Sequence, residues 1–191
     1  MVLFINVAMI LYNVNIYRNN HCIYPLMWDN GLQLSAQFWA DQLAQKNLFF
    51  HSPNNYGENL AIIGNNDSND KTFSVLTSIK LWYNEINLYN YSQPKFNINT
   101  GHFTQLIWKS STKIGVGIAQ KSKNNLIIVM QFSPAGNFNL PIYFIQNVLL
   151  PCKSKYQPLF PLQSYQLPSY PPSYPPSYPL SYQLPSYPVF K

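Results

Sequence analysis

No hydrophobic core can be built from "SYQLPSYPPSYPPSYPLSYQLPSYP", Ser164 to Pro188. The stretch is a near four-residue repeat of Pro, Ser and Tyr, with no charge and no period that would bury one face. Proline's fixed φ and missing amide donor favour exposed polyproline II. The composition breaks near Pro151. A folded domain must therefore come from residues 1–152, with 153–191 as a low-complexity tail.

The tail also carries recognition motifs. Pro171-Pro172-Ser173-Tyr174 and Pro175-Pro176-Ser177-Tyr178 match the Pro-Pro-x-Tyr ligand of WW domains, and Leu167 to Tyr170 and Leu184 to Tyr187 match its Leu-Pro-x-Tyr relative. A preformed proline helix docks on an aromatic groove at low entropic cost, and several copies on one tether raise avidity. The competing readings are a repeat without a dedicated partner and a tyrosine-rich adhesive tail.

In the remaining chain, helical patterns come before strand patterns. Leu3, Val7, Ile10, Val14 and Tyr17 fall three and four apart, as do Leu32, Ala36, Trp39 and Leu43 in a second segment, Leu32 to Gln45. Phe73 to Asn87 forms a third, with Phe73, Leu76, Ile79, Lys80, Tyr83 and Ile86 in register. "KIGVGIAQ" and "NLIIVMQFSP" are rich in β-branched residues, and the polar link between them reads as a hairpin. This order predicts an α+β domain with helices packed on a sheet. In "SPAGNF", Gly136 is expected to supply a backbone angle that a side chain would oppose.

Charge narrows the function. The formal net charge is +6, but only 9% of residues are charged, and Lys46, Lys71, Lys80, Lys95, Lys109, Lys113, Lys121 and Lys123 are scattered. Such a distribution excludes a nucleic-acid footprint. The apolar start Val2 to Leu11 is a poor signal peptide: Asn6 interrupts it and no basic residue precedes it. It is too short for a transmembrane segment, and Val2 rules out N-myristoylation. Cys22 and Cys152 are a single possible pair. Joining them would contribute about 4 to 5 kcal/mol in the chain-entropy model. Two free thiols are the preferred reading, because small domains that depend on disulfides usually carry more.

Acids are scarce: Asp29, Asp41, Glu58, Asp67, Asp70 and Glu85 are all of them. His51 follows the second helix, Glu58 lies in "YGENLA", Glu85 in "WYNEI" and His102 opens "GHFTQLIW". Two imidazoles can bind a borderline divalent ion such as zinc, and two carboxylates can fix the ring tautomers or hold metal-bound water. Spacing alone does not show that the four converge, and on that basis a hydrogen-bonded structural role is the commoner reading for a His/Glu pair in a loop. Trp82, Tyr83, Tyr89, Tyr91 and Trp108 read as packing and cleft-wall residues.

"GHFTQLIWKSSTKIGVGIAQ", "HSPNNYGENLA", "LWYNEINLYNY" and "QFSPAGNF" together resemble the signatures of the CAP or SCP superfamily, that of cysteine-rich secretory proteins, antigen 5 and plant pathogenesis-related proteins. The motifs are nearest those of its Golgi-associated members. The resemblance implies an α-β-α sandwich with a central cleft. It also implies that the family's tetrad corresponds to His51, Glu58, Glu85 and His102, where a divalent cation, zinc foremost, is weakly bound through His51 and His102. The first helix departs from the pattern at Val14, where the family usually has a histidine, and a cysteine-rich extension is absent. The implied activity is non-enzymatic binding of lipid, sterol or a protein partner. The alternatives are a metal-assisted hydrolase using Glu58 or Glu85, and a scaffold acting through its tail. The superfamily default is the extracellular region; the alternative is a cytoplasmic protein peripheral to the Golgi membrane.

Overall fold

The computed structural model describes residues 5–64 and 71–152. In chain order the elements are α1 (Val7–Asn19), β1 (Met27–Trp28), α2 (Asn30–Gln45), β2 (Gly57–Gly64), α3 (Lys71–Asn84), α4 (Gly101–Leu106), β3 (Lys113–Ser122), β4 (Asn125–Ser133) and α5 (Pro141–Asn147). Short 3-10 turns lie at Glu85–Leu88 and Ile98–Thr100. No helix among the described residues is long and apolar enough to cross a membrane.

The strands form one sheet in the order β1-β3-β4-β2. β3 and β4 are an antiparallel hairpin at its centre, β2 runs antiparallel along β4, and β1 adds a short parallel edge to β3. Both faces are covered, which is why β4 reads as a continuous apolar run. On one face Ile114, Val116, Ile118, Leu126, Ile128, Met130 and Phe132 meet Ile10 and Val14 of α1, Val75, Ile79 and Trp82 of α3, and Leu106 of α4. On the other, Ala119, Ile127 and Val129 meet Ala36, Ala40 and Leu43 of α2. The predicted α-β-α sandwich is the observed architecture. Val14 is fully buried in this core, so the residue that departs from the family pattern is a packing residue.

The glycines of "KIGVGIAQ" account for the closeness of α2. A Cβ on Gly115 would overlap the backbone of Leu32 and Gln33, and one on Gly117 would overlap that of Ala36 and Gln37. Asp29 starts the same helix, accepting the Leu32 amide at 3.0 Å while pairing with Lys113 Nζ at 3.0 Å.

Several expectations need correction. The inward face of α3 is Thr72, Val75, Ile79 and Trp82, rotated from the predicted stripe; Phe73, Leu76 and Tyr83 are half-buried, and Lys80 is exposed. The helix ends at Asn84, so Ile86 belongs to the following 3-10 turn. Gly136 does not have a positive φ; Asn137, at φ 58°, does. The glycine is needed because a Cβ there would stand 2.6 Å from the Trp108 ring. Cys22 and Cys152 form a disulfide, contrary to the free thiols expected. Local contacts bring them together: the chain after α5 returns to the end of α1, where Cys152 N donates to Asn20 O at 2.9 Å and His21 Nδ1 donates to Leu149 O at 2.6 Å.

Arg18, in the first-helix run "VNIYRNNH", is fully buried. Its guanidinium donates to the carbonyls of Tyr24 (2.9 Å), Leu106 (3.2 Å), Trp108 (2.9 Å) and Ser111 (2.8 Å), tying α1 to the exit of α4. Burial pulls its pKa down to about 9.

Three substitutions test this packing. Gly117→Ala should lower unfolding free energy by about 2 kcal/mol in urea titration, because overpacking forces α2 off the sheet. Gly64→Ala, where a Cβ meets nothing within 4 Å, should change it by less than about 0.5 kcal/mol. Cys152→Ser should cost about 4 kcal/mol on the same assay, as a bridge closing a separation of 130 residues is lost.

Candidate functional site

The structure assembles the four predicted residues as two imidazole-carboxylate pairs. His51 lies in the segment joining α2 to β2, and Glu58 is the second residue of β2. His51 Nδ1 donates to Glu58 Oε1 at 2.9 Å, and the Ser52 amide donates to the same oxygen at 2.9 Å. Gln131 Nε2 donates to Glu58 Oε2 at 2.9 Å. Glu58 and Gln131 are register partners across β2 and β4, so strand pairing itself delivers this contact. The His51 side chain is 62% exposed and that of Glu58 only 4%.

The second pair is built around the start of α4. Glu85 opens the 3-10 turn that follows α3, and its Oε2 accepts the backbone amides of His102 and Phe103, both at 3.0 Å. Those amides have no partner within the helix, and Thr100 at the N-cap contributes no side-chain bond. Glu85 therefore caps α4 from a distant part of the chain. Its Oε1 accepts from His102 Nδ1 at 2.7 Å. The Trp82 ring stacks on the His102 ring at 5.8 Å, and Asn59 Nδ2 donates to His102 O at 3.0 Å. Glu58 and Asn59 are successive residues of β2, so one edge strand serves both pairs.

A carboxylate in these positions can only accept. Each imidazole thus donates through Nδ1, and in the neutral ring Nε2, on the side away from the glutamate, is the nitrogen that carries a lone pair. Two such nitrogens are a donor set suited to a borderline divalent ion. Among the described residues no group of three or more His, Cys, Asp or Glu side chains is placed to hold a metal. Gln131 Oε1, beside Glu58, is buried without a hydrogen-bond partner among the described residues.

Sequence reasoning missed Gln131. Its signal was a single amide inside the apolar run "NLIIVMQFS". Asn137 was also missed: Thr104 Oγ1 donates to its Oδ1 at 2.6 Å and its Nδ2 donates to Gly101 O at 2.8 Å, bracing α4. Thr104 is occupied in that contact rather than placed as a nucleophile. The third histidine, His21, is structural: Nδ1 contacts Leu149 O and Nε2 lies 3.1 Å from Tyr83 Oη. Trp108 is buried as expected, and Tyr83 and Tyr89 pack against Phe103. The tail positions Pro171, Pro172, Tyr174, Pro175, Pro176 and Tyr178 lie outside the described residues.

Burial opposes ionisation of Glu58, but hydrogen bonds from His51, Gln131 and Ser52 outweigh it and hold its pKa below the ordinary 4.5. The stability contributed is fully present above the unfolded value and is lost as pH falls through the lower folded pKa. Unfolding free energy of the parent should therefore drop below about pH 4.5, and Glu58→Gln should flatten that limb in urea titrations at stepped pH.

With this geometry established, comparison with known proteins identifies the relatives. The model of the cysteine-rich secretory protein family, CAP, matches residues 11–132. The chain is 38% identical over 143 residues to human Golgi-associated plant pathogenesis-related protein 1, spanning 73% of this chain and 89% of that protein. It is 33% identical over 121 residues to pathogenesis-related protein 1 of Arabidopsis thaliana, spanning 63% and 71% respectively. The crystal structure of NaASP2 with Zn2+ shares the fold, at TM-score 0.62 and 19% identity, with 76% of this chain and 85% of that one covered. The chain belongs to the cysteine-rich secretory protein family, the CAP superfamily whose motifs it carries.

Proposed function

We propose that this protein is a non-enzymatic binding module in which His51 and His102 hold a divalent cation, zinc foremost, beside a cleft that receives a lipid, a sterol or a protein partner. The observation that carries this reading is the matched pair of rings, each donating Nδ1 to a glutamate and each left with Nε2 as a ligand atom. A bound cation supplies a positive centre for an anionic group of the ligand. The chain's own residues orient the rings, through Glu58 and Glu85, and set the wall, through Trp82 stacked on His102. The zinc of the NaASP2 crystal structure belongs to that protein and lends support only by analogy of fold.

The hydrolase alternative is disfavoured by the same contacts. A general base works best with a pKa near the operating pH, whereas Glu58 is held below the ordinary carboxylate value. Glu85 has both oxygens engaged by His102 and Phe103. The proposed location is extracellular, the family being that of secretory proteins. The relative named for its Golgi association makes a membrane-peripheral cytoplasmic location the alternative. Binding of WW-domain proteins through the Pro171 to Tyr178 repeats is a separate proposal for the tail.

Calorimetric titration of the full chain with zinc should give saturable heat. The double variant His51→Ala/His102→Ala should lose it while keeping the parent's circular dichroism. Equal heats from a folded double variant, or no heat from the parent, would sink the cation reading.

A further inference from the structure

The segment between the two 3-10 turns carries Asn90-Tyr91-Ser92, the acceptor pattern for N-linked sugar with a residue other than proline in the middle. We propose that Asn90 is an N-glycosylation site, modified when the chain enters the secretory compartment. Asn90 and Ser92 are exposed, while the Tyr91 hydroxyl is buried and its ring packs edge-on against Tyr89 at 4.8 Å. The middle residue anchors the tripeptide and the outer two face solvent.

Local hydrogen bonds shape the turn. Asn90 Oδ1 accepts the Ser92 amide at 2.9 Å and Asn90 O accepts the Gln93 amide at 3.1 Å, so the chain folds Ser92 back onto the carboxamide. Nδ2, the atom to be modified, makes no hydrogen bond among the described residues. A glycan is bulky and hydrophilic and requires such a surface position. Leu88, 66% exposed, lines the same shallow concavity as Asn90, so a sugar there would cover apolar surface otherwise in water.

The Cys22–Cys152 disulfide is an independent observation pointing to the same compartment. Such bonds persist where the environment is oxidising, as in the lumen where sugar transfer to asparagine occurs. In the transfer, Asn90 Nδ2 attacks the anomeric carbon of a lipid-pyrophosphate-linked oligosaccharide. The N–C bond forms as the bond from that carbon to the pyrophosphate oxygen breaks. Nδ2 gives one proton to a base of the transferase, and the lipid pyrophosphate leaves. The inference rests on the proposed export of the chain and is independent of the cation reading. Asn66-Asp67-Ser68 has the same pattern and lies outside the described residues.

The test is expression of the full chain behind a cleavable export leader in glycosylating eukaryotic cells, with retained and secreted pools both collected. Peptide-N-glycosidase converts a glycosylated asparagine to aspartate, so peptide mass spectrometry reads occupancy at Asn90 directly and apart from Asn66. The expected result is aspartate at Asn90 in the majority of disulfide-bonded molecules. Asn90→Gln and Ser92→Ala should each lose one glycan's increment of apparent mass. Unmodified Asn90 in disulfide-bonded chain overturns the proposal, and parent mapping decides it even if a variant is retained. Zinc calorimetry on the same deglycosylated material reads the cation proposal separately.

Discussion

The approach of α2 to the backbone of β3 is the contact on which the rest of the domain depends. It requires hydrogen at the Cα of both Gly115 and Gly117, since any side chain there would enter the helix backbone. With the helix seated this closely, small residues on its inner face, Ala36 and Ala40, suffice to seal one side of the sheet. The segment leaving α2 then has a fixed point of departure and reaches β2 with His51 alongside Glu58. On the opposite face, Arg18 performs a comparable task with charge instead of shape. Its guanidinium gathers carbonyls from the exit of α4 and from the loop before β3. A buried cation without a carboxylate partner is tolerated because its donors are satisfied by these oxygens.

The two glutamates join architecture to chemistry. Glu85 supplies the missing cap of a short helix and, with its other oxygen, sets the tautomer of a ring in that helix. Glu58 is held by an amide across the sheet, by a backbone amide and by the other ring. Removal of either carboxylate would thus affect folding and ring orientation together. A single substitution at these positions cannot separate the two roles, and replacing a ring also removes its Nδ1 bond to the glutamate, so cation binding of a ring variant is read together with its stability.

Much of this was legible in the residues. The apolar periodicity of α1 and α2 and the β-branched hairpin located the layers, and the scarcity of acids drew attention to Glu58 and Glu85. What escaped notice did so for physical reasons. β2 opens Gly57-Glu58-Asn59, a glycine and two polar residues, so its first half lacks the apolar signature of a strand. α5 is seven residues long and contains β-branched and aromatic side chains, too short for a helical period to emerge. The disulfide depended on the return of the chain to α1, which no local pattern encodes. Gln131 could have been found, since an amide amid "LIIVM" and "F" must be satisfied by something polar inside.

The central proposal is that two carboxylates, each accepting from Nδ1, orient His51 and His102 so that both Nε2 atoms can take one cation. Long-range proton-nitrogen NMR correlation of the histidine rings, recorded at neutral pH before and after zinc is added, tests it most directly. The neutral form of both rings should be the Nδ1-protonated tautomer in the metal-free protein, and zinc should shift both Nε2 resonances while His21 stays unchanged. An Nε2-protonated tautomer of either neutral ring, or zinc that leaves the His51 and His102 signals unmoved, would contradict it.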